Sequence, residues 1–253
     1  MMAHTVRNNN IAKEQFSVTR KKSISHALNK TLLFDNIRYQ KISVSLTYCD
    51  LRECYDRISH PPAMLAARSF GIPKNPLISF FATLQDVQYH TRTCYGVSEK
   101  TFGGLHNNFS AKPQGAGQGN GATPQLWAVL SSKMFHMLHT LGLTTKVVTP
   151  ISNTNMMLVG FAYVDDSDLF TYSLDHDVYE TVKKMQSIVN AWEQADKVTG
   201  GAIAPLKCWW YLLFFEWDDE GNWKYGQVEN QQYSLTACDA TGTIQTINTY
   251  HLT

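Results

Sequence analysis

Phe161-Ala162-Tyr163-Val164-Asp165-Asp166-Ser167-Asp168-Leu169-Phe170 decides how this chain reads. Short apolar, β-favouring runs flank two adjacent carboxylates. The pattern predicts a hairpin, with 156–164 pairing against 168–172 and acid at the tip. Two fixed charges side by side repel, so a nearby cation is a natural compensation. Carboxylate oxygens suit divalent magnesium or manganese. Taken alone, the stretch also reads as a solvated Asp-Asp turn, because Asp is a favoured turn residue.

Working outward, Ser43-Val44-Ser45-Leu46-Thr47-Tyr48-Cys49-Asp50-Leu51-Arg52-Glu53-Cys54-Tyr55-Asp56 is a strand pattern ending at one acid, with a second at Asp56. Gln118-Gly119-Asn120-Gly121-Ala122-Thr123-Pro124 is a glycine-rich turn. It opens a helix whose apolar positions Leu126, Val129, Leu130, Met134, Met137, Leu138 and Leu141 share one face, with Gly142 as its cap. Downstream, Thr199-Gly200-Gly201-Ala202-Ile203-Ala204-Pro205-Leu206-Lys207-Cys208 is a glycine turn with a lysine before a strand.

That order resembles the palm of reverse transcriptases. Asp50 to Asp56 resembles the palm's first motif, Asp-x-x-x-(Ala/Cys)-(Phe/Tyr)-Asp. Residues 118–124 resemble its second, Gln-Gly-x-x-x-Ser-Pro, with Thr123 in place of Ser. Tyr163 to Asp166 resembles the third, Tyr-x-Asp-Asp, and 199–208 the fourth. The resemblance spans residues 40–225 and is closest to the non-LTR retroelement type.

The resemblance implies an α+β polymerase palm, an antiparallel sheet with helices packed on one face. It implies template-directed DNA synthesis: a primer 3′-oxygen attacks an α-phosphorus while two magnesium or manganese ions stabilise the entering and leaving oxygens. Asp50, Asp165 and Asp166 are then the catalytic carboxylates and metal ligands, joined by the backbone carbonyl of Leu51. Tyr55 is expected under the sugar, where a ring excludes a ribose 2′-hydroxyl; its alternative is an ordinary core tyrosine. Gln118, Gly119 and Tyr163 are expected to line the nucleotide and template pocket. Lys207 is expected near the triphosphate, as a proton donor to pyrophosphate, or else as a surface lysine. Asp56 reads as a structural cap. Trp209, Trp210 and Tyr211 read as core, with support of a primer end as the alternative. The implied partners are an RNA or DNA template with its primer, and deoxynucleoside triphosphates.

Composition sets bounds. The 253 residues are 43% hydrophobic, ordinary for one globular core. No apolar run is long enough to span a membrane, and the N-terminus lacks the apolar stretch of a signal peptide. The five cysteines form no Cys-x-x-Cys pair, which predicts reduced thiols and an intracellular protein, nuclear or cytoplasmic. Net charge is +1, but residues 1–41 carry eight basic residues against Glu14 and Asp35. A basic segment ahead of an acidic body suits a chain that meets phosphate at one end, and equally a soluble basic tail.

Three segments are expected: a basic N-terminal segment over 1–41, in the place of a fingers remnant; a palm over 42–227; and a polar C-terminal tail over 228–253 without assigned elements. The fingers and thumb of the family are expected to be largely missing. Helices are predicted over 24–38 on an Ile24, Ala27, Leu28, Leu32, Leu33 face, from Pro61, from Pro76, and through Val178, Val182, Met185, Val189 and Trp192. Residues 87–95 alternate like a strand and 96–113 read as a connecting loop. The glycines at 115–121 follow no buried strand, which excludes a dinucleotide fold; no Gly-Lys-Ser/Thr or calcium-hand pattern occurs. The alternative to an active polymerase is a truncated, catalytically inactive retroelement remnant with at most weak nucleic-acid binding.

Overall fold

The computed structural model describes residues 11–18, 21–104, 114–117, 120–149, 152–173, 177–228 and 232–249. Its frame is a five-stranded sheet. The central strand β1 (Ser43–Cys49) alternates small polar and apolar residues, so each face takes its own partner. Val44, Leu46 and Tyr48 face one side; Ser45, Thr47 and Cys49 face the other. The other strands are β6 (Gly160–Tyr163), β7 (Asp166–Ser173), β8 (Trp209–Leu213) and β13 (Asn248–Thr249). The order is β13-β8-β1-β7-β6. All neighbours are antiparallel except β13, which runs parallel to β8. The sheet is therefore mixed, not purely antiparallel as expected.

Two long helices cover the face of Ser45, Thr47 and Cys49. α5 (Thr123–Thr140) starts at the predicted Pro124, and α6 (Val178–Thr199) starts where Asp177 caps the Glu180 N–H at 3.0 Å. Leu126, Trp127, Leu130, Met134, Phe135 and Leu138 meet Met185, Ile188, Val189 and Trp192 over Leu169, Trp210 and Leu212. The rings of Phe135 and Trp192 lie 4.9 Å apart. The predicted α5 face is buried at Leu126, Leu130 and Met134, half-buried at Met137 and exposed at Leu141. Smaller helices α2 (Cys54–Arg57), α3 (His60–Ser69) and α4 (Lys74–Gln85) follow β1 and join this core through Ala63, Ala67, Leu77 and Phe81.

The second face is not bare, contrary to the expectation of helices on one side. Val44, Leu46, Phe161, Phe170 and Leu213 make it apolar, and an apolar sheet face must be covered. Helix α1 (Ser23–Gln40) supplies Leu33, Phe34 and Ile37. The predicted face of this helix holds only at Leu33: Ile24, Leu28 and Leu32 are exposed at 71, 56 and 53%. α1 carries two apolar stripes, and periodicity alone does not say which one the sheet takes.

Two further differences concern short elements. Residues 96–113 were expected to be loop, yet β3 (Gly96–Gly103) forms a hairpin with β2 (Gln88–Thr93). β2 matches the strand read over 87–95, whereas its partner β3 was not anticipated; all of β2 is exposed. The polar 228–253 segment contains a hairpin of β11 (Thr236–Cys238) and β12 (Ile244–Thr246), ahead of β13. Leu235, Ala237 and Ile247 enter the main core. The Gln186 side chain bonds both the N–H and the carbonyl of Thr236, and Glu193 accepts from the Cys238 N–H at 2.8 Å, pinning β11 to α6. Likewise the 1–41 segment is not a free tail where described: Phe16 is buried, and Gln15 bridges Ala162 on the outer edge of β6.

α6 ends at Gly200, whose φ of 94° is the left-handed cap conformation. A side chain on Gly201 would collide with the carboxylate of Asp196, and one on Gly200 with the Arg57 carbonyl. Asp196 is buried, and burial pushes its carboxyl up to about 7 against the opposing pull of Arg57. Neither carboxylate oxygen meets a hydrogen-bond donor among the described residues. No described helix is long and apolar enough to cross a membrane.

Candidate active site

Asp50 leaves the end of β1; Asp165 lies in the turn after β6, and Asp166 opens β7. The hairpin is tighter than predicted: Tyr163 pairs with Asp166, so only Val164 and Asp165 form the turn. The antiparallel register pairs Cys49 with Ser167 and Tyr48 with Asp168. One residue further on each strand are Asp50 and Asp166. The Tyr48 hydroxyl donates to Asp166 Oδ1 at 2.6 Å. Two acidic segments over a hundred residues apart in sequence thus meet at one end of the sheet.

Val164 takes a φ of 59° to make this turn. A β-branched residue in the left-handed region is strained, at a cost of about 1–3 kcal/mol. Val164→Gly is therefore expected to raise stability by about 1 kcal/mol, after glycine's own entropy cost is set against the relief. A denaturation midpoint that falls in this variant would mean that the Val164 side chain is held by packing.

The backbone around Asp50 is fixed from the opposite side. The Asp50 N–H donates to Cys208 Sγ at 3.3 Å, and its carbonyl accepts from the Ala204 N–H at 3.0 Å. Leu51 bridges Ile203, and Arg52 N–H reaches the Ala202 carbonyl at 2.8 Å. The Gly200–Lys207 segment is thereby tied to the first acid. Lys207 Nζ lies 3.8 Å from Asp50 Oδ2. Burial pushes the Asp50 carboxyl up; Lys207 opposes this, and the charges of Asp165 and Asp166 add to it. Burial and the two neighbouring carboxylates thus outweigh Lys207 at Asp50.

Tyr55 stands in α2 with its ring half-buried against the core. Its hydroxyl is buried without a hydrogen-bond partner among the described residues. Burial first, and then the charge of Asp165, push that hydroxyl up. The Tyr55 carbonyl accepts from the Ala116 N–H at 2.9 Å, and Thr123 Oγ1 donates to the Ala116 carbonyl at 2.7 Å. Residues 115–117 therefore link α2 to the start of α5. Gln118 and Gly119, the predicted pocket residues of that turn, lie outside the described residues. Asp56 sits in α2, and its N–H bonds the Glu53 carbonyl at 2.9 Å.

Tyr163 points to the α1 face, half-buried, with the His26 ring 6.3 Å away. Trp209 stacks on Tyr48 with ring centres 5.5 Å apart, while Trp210 is buried on the other face. The sequence reading missed Tyr48, Asp168 and Lys30. Asp168 shares a face with Asp166 by strand alternation, is buried, and pairs with Lys30 Nζ at 2.7 Å. The alternation was the available signal; the lysine on a distant helix gave none.

Hard carboxylate oxygens are the donors that magnesium and manganese take. A divalent ion would supply the positive charge that Lys207 alone does not provide beside Asp50. Among the described residues, however, no three His, Cys, Asp or Glu side chains converge as a set that could hold a metal. Asp166 is turned to Tyr48 instead.

No protein-family profile and no curated protein matches the sequence. Solved structures do match the fold. Apo telomerase from Candida tropicalis, truncated from its C-terminal domain, superposes with a TM-score of 0.52 and 15% identity over 92% of this chain. Telomerase from Candida tropicalis in complex with the TWJ fragment of telomeric RNA gives 0.50 and 15%, also over 92%. The chain spans 41% and 34% of those two proteins' length. At such identity the likeness is one of fold, and the chain has a reverse-transcriptase-like α+β fold of the kind telomerase has.

Proposed function

We propose that this chain is a reverse transcriptase domain of retroelement origin that extends a primer on an RNA or DNA template. The supporting observation is the meeting of two acidic strand ends, with the charges of Asp165 and Asp166 felt at Asp50 and Lys207 beside it. Asp50, Asp165, Asp166 and the Leu51 carbonyl would hold magnesium or manganese. When bound, such ions supply charge stabilisation to the attacking and leaving oxygens. The chain's own residues do the rest. Arg52 and Ala204 N–H bonds hold the backbone on either side of Leu51. Lys207 offers an ammonium for the leaving pyrophosphate. Tyr55, held from behind by Ala116, sets the floor under the incoming sugar. By the resemblance, Gln118 and Gly119 would line the nucleotide and template pocket and deoxynucleoside triphosphates would be the substrates; Tyr163, which points to the α1 face, would not share that pocket with Tyr55.

Primer extension by the purified chain with magnesium or manganese, beside Asp165→Asn, tests the reading. Incorporation that the variant lacks supports it. A folded wild-type chain that extends no primer with either ion defeats it. The second reading, a non-catalytic relative that binds nucleic acid weakly, then stands; the Tyr48–Asp166 bond and the absence of a converged metal set among the described residues favour it.

Substrate choice gives a finer prediction. Tyr55→Ala opens space under the sugar without touching the carboxylates. The ratio of specificity constants for deoxy- over ribonucleotides is expected to fall by about tenfold or more. An unchanged ratio in an active preparation would make Tyr55 a core residue alone.

A further inference from the structure

We propose that Cys49 and Cys208 are a reversible redox pair, closing to a disulfide next to the candidate active site. The two thiols come from opposite ends of the sequence. The β1–β8 ladder ends at the pair Tyr48–Trp209; Cys49 is the next residue of one strand and Cys208, whose backbone is extended, precedes the other, so continuing the register by one step would set them opposite each other. Directly opposite residues of an antiparallel ladder have Cα atoms about 4.5–5.5 Å apart. A disulfide spans about 4.4–6.8 Å between Cα atoms, so the backbone need not open to form one. Both side chains enter the same apolar cluster. Cys208 Sγ also straddles the Asp50 backbone, accepting from its N–H at 3.3 Å and lying 3.8 Å from its carbonyl. Of the other three cysteines, Cys54 is buried in the same cluster but stands on α2 rather than on the ladder, Cys94 is exposed on the β2–β3 hairpin, and Cys238 sits on β11.

The oxidant is hydrogen peroxide. Cys208 sulfur attacks one peroxide oxygen, the O–O bond breaks, and water leaves with the thiol proton, giving a sulfenic acid. Cys49 sulfur then attacks the Cys208 sulfur and a second water leaves. Two thiols have lost two electrons and two protons; one peroxide has become two waters. Both thiols are buried, at 0 and 1% exposure, so the reaction proceeds through local opening of the Pro205–Lys207 turn ahead of Cys208. The bond joins the residue before Asp50 to the residue after Lys207. It would hold the Lys207 ammonium at Asp50. A reducing agent reopens it.

The proposal does not depend on polymerase activity. The test treats the full-length chain with hydrogen peroxide, blocks remaining thiols under denaturing conditions, and maps peptides by mass spectrometry. The expected result is a loss of two of the five free thiols, with the Cys49 peptide joined to the Cys208 peptide, reversed by dithiothreitol. In Cys208→Ser, Cys49 should stay open to alkylation under the same treatment. Should that variant not fold, mapping of the unsubstituted chain decides alone. Peroxide consumed at Cys94 while Cys49 and Cys208 remain alkylatable would overturn the proposal. So would Cys208 passing to sulfinic acid without linkage.

Discussion

If the chain extends primers as proposed, Asp165→Asn is expected to slow that extension by at least about a thousandfold while leaving the fold in place. Asp165 is exposed at the hairpin tip, and its replacement by an isosteric amide removes a charge without opening a cavity. Surface substitutions of that kind change stability by about 0.5 kcal/mol or less. Activity and stability are thus expected to separate. A second effect follows from the local field. The charge of Asp165 helps to hold the Asp50 carboxyl up, so its loss should let Asp50 ionise at lower pH. Titration of Asp50 by NMR can register that shift even in a preparation that extends no primer. A variant within tenfold of the parent rate would remove Asp165 from the chemistry.

Asp196→Asn should raise stability at pH 8 by about 2 kcal/mol and leave it nearly unchanged at pH 4. The Asp196 carboxyl moves from its ordinary value of 3.8 to about 7 on folding. Between those values the folded chain keeps a proton that the unfolded chain gives up. Stability is therefore fully present below pH 3.8 and is lost as pH rises through about 7. Each tenfold change in proton affinity corresponds to about 1.4 kcal/mol, discounted here because the new amide needs hydrogen-bond partners of its own. Asparagine binds no proton, so the slope across this window should flatten in the variant. Urea midpoints at several pH values measure it. Parallel pH profiles for parent and variant would show that the carboxyl is better solvated than its burial implies.

The sheet frame and its two main covering helices were legible because their signals are long. α5 and α6 carry many turns of one periodicity, and β1 and the β6–β7 hairpin end in acids that mark them. The acids' neighbourhood was expected from the resemblance to a palm, not from any period. What the sequence hid has physical causes. α1 has an exposed stripe at Ile24, Leu28 and Leu32 as regular as its buried one, so the choice of face is made by the sheet. β11, β12 and β13 are three, three and two residues long, too short for any period. Lys30–Asp168 and Tyr48–Asp166 join side chains from separate elements, and only the folded register brings them together.

The Gln15–Ala162 bridge and the β13–β8 pair share a consequence for handling this protein. A sheet's outermost strands expose unpaired main-chain donors and acceptors, which recruit strands from other molecules. Here one border is occupied by Glu14–Phe16, whose main chain exchanges bonds of 2.8 Å with Ala162. The other is occupied by Asn248 and Thr249, lying along Trp209 and Trp210. Remote stretches of the chain thus act as selvedges on a cloth. Trimming either one for expression would bare a border backed by Phe161 or Trp210. Self-association and precipitation would then be the first symptoms, ahead of any loss of helix content.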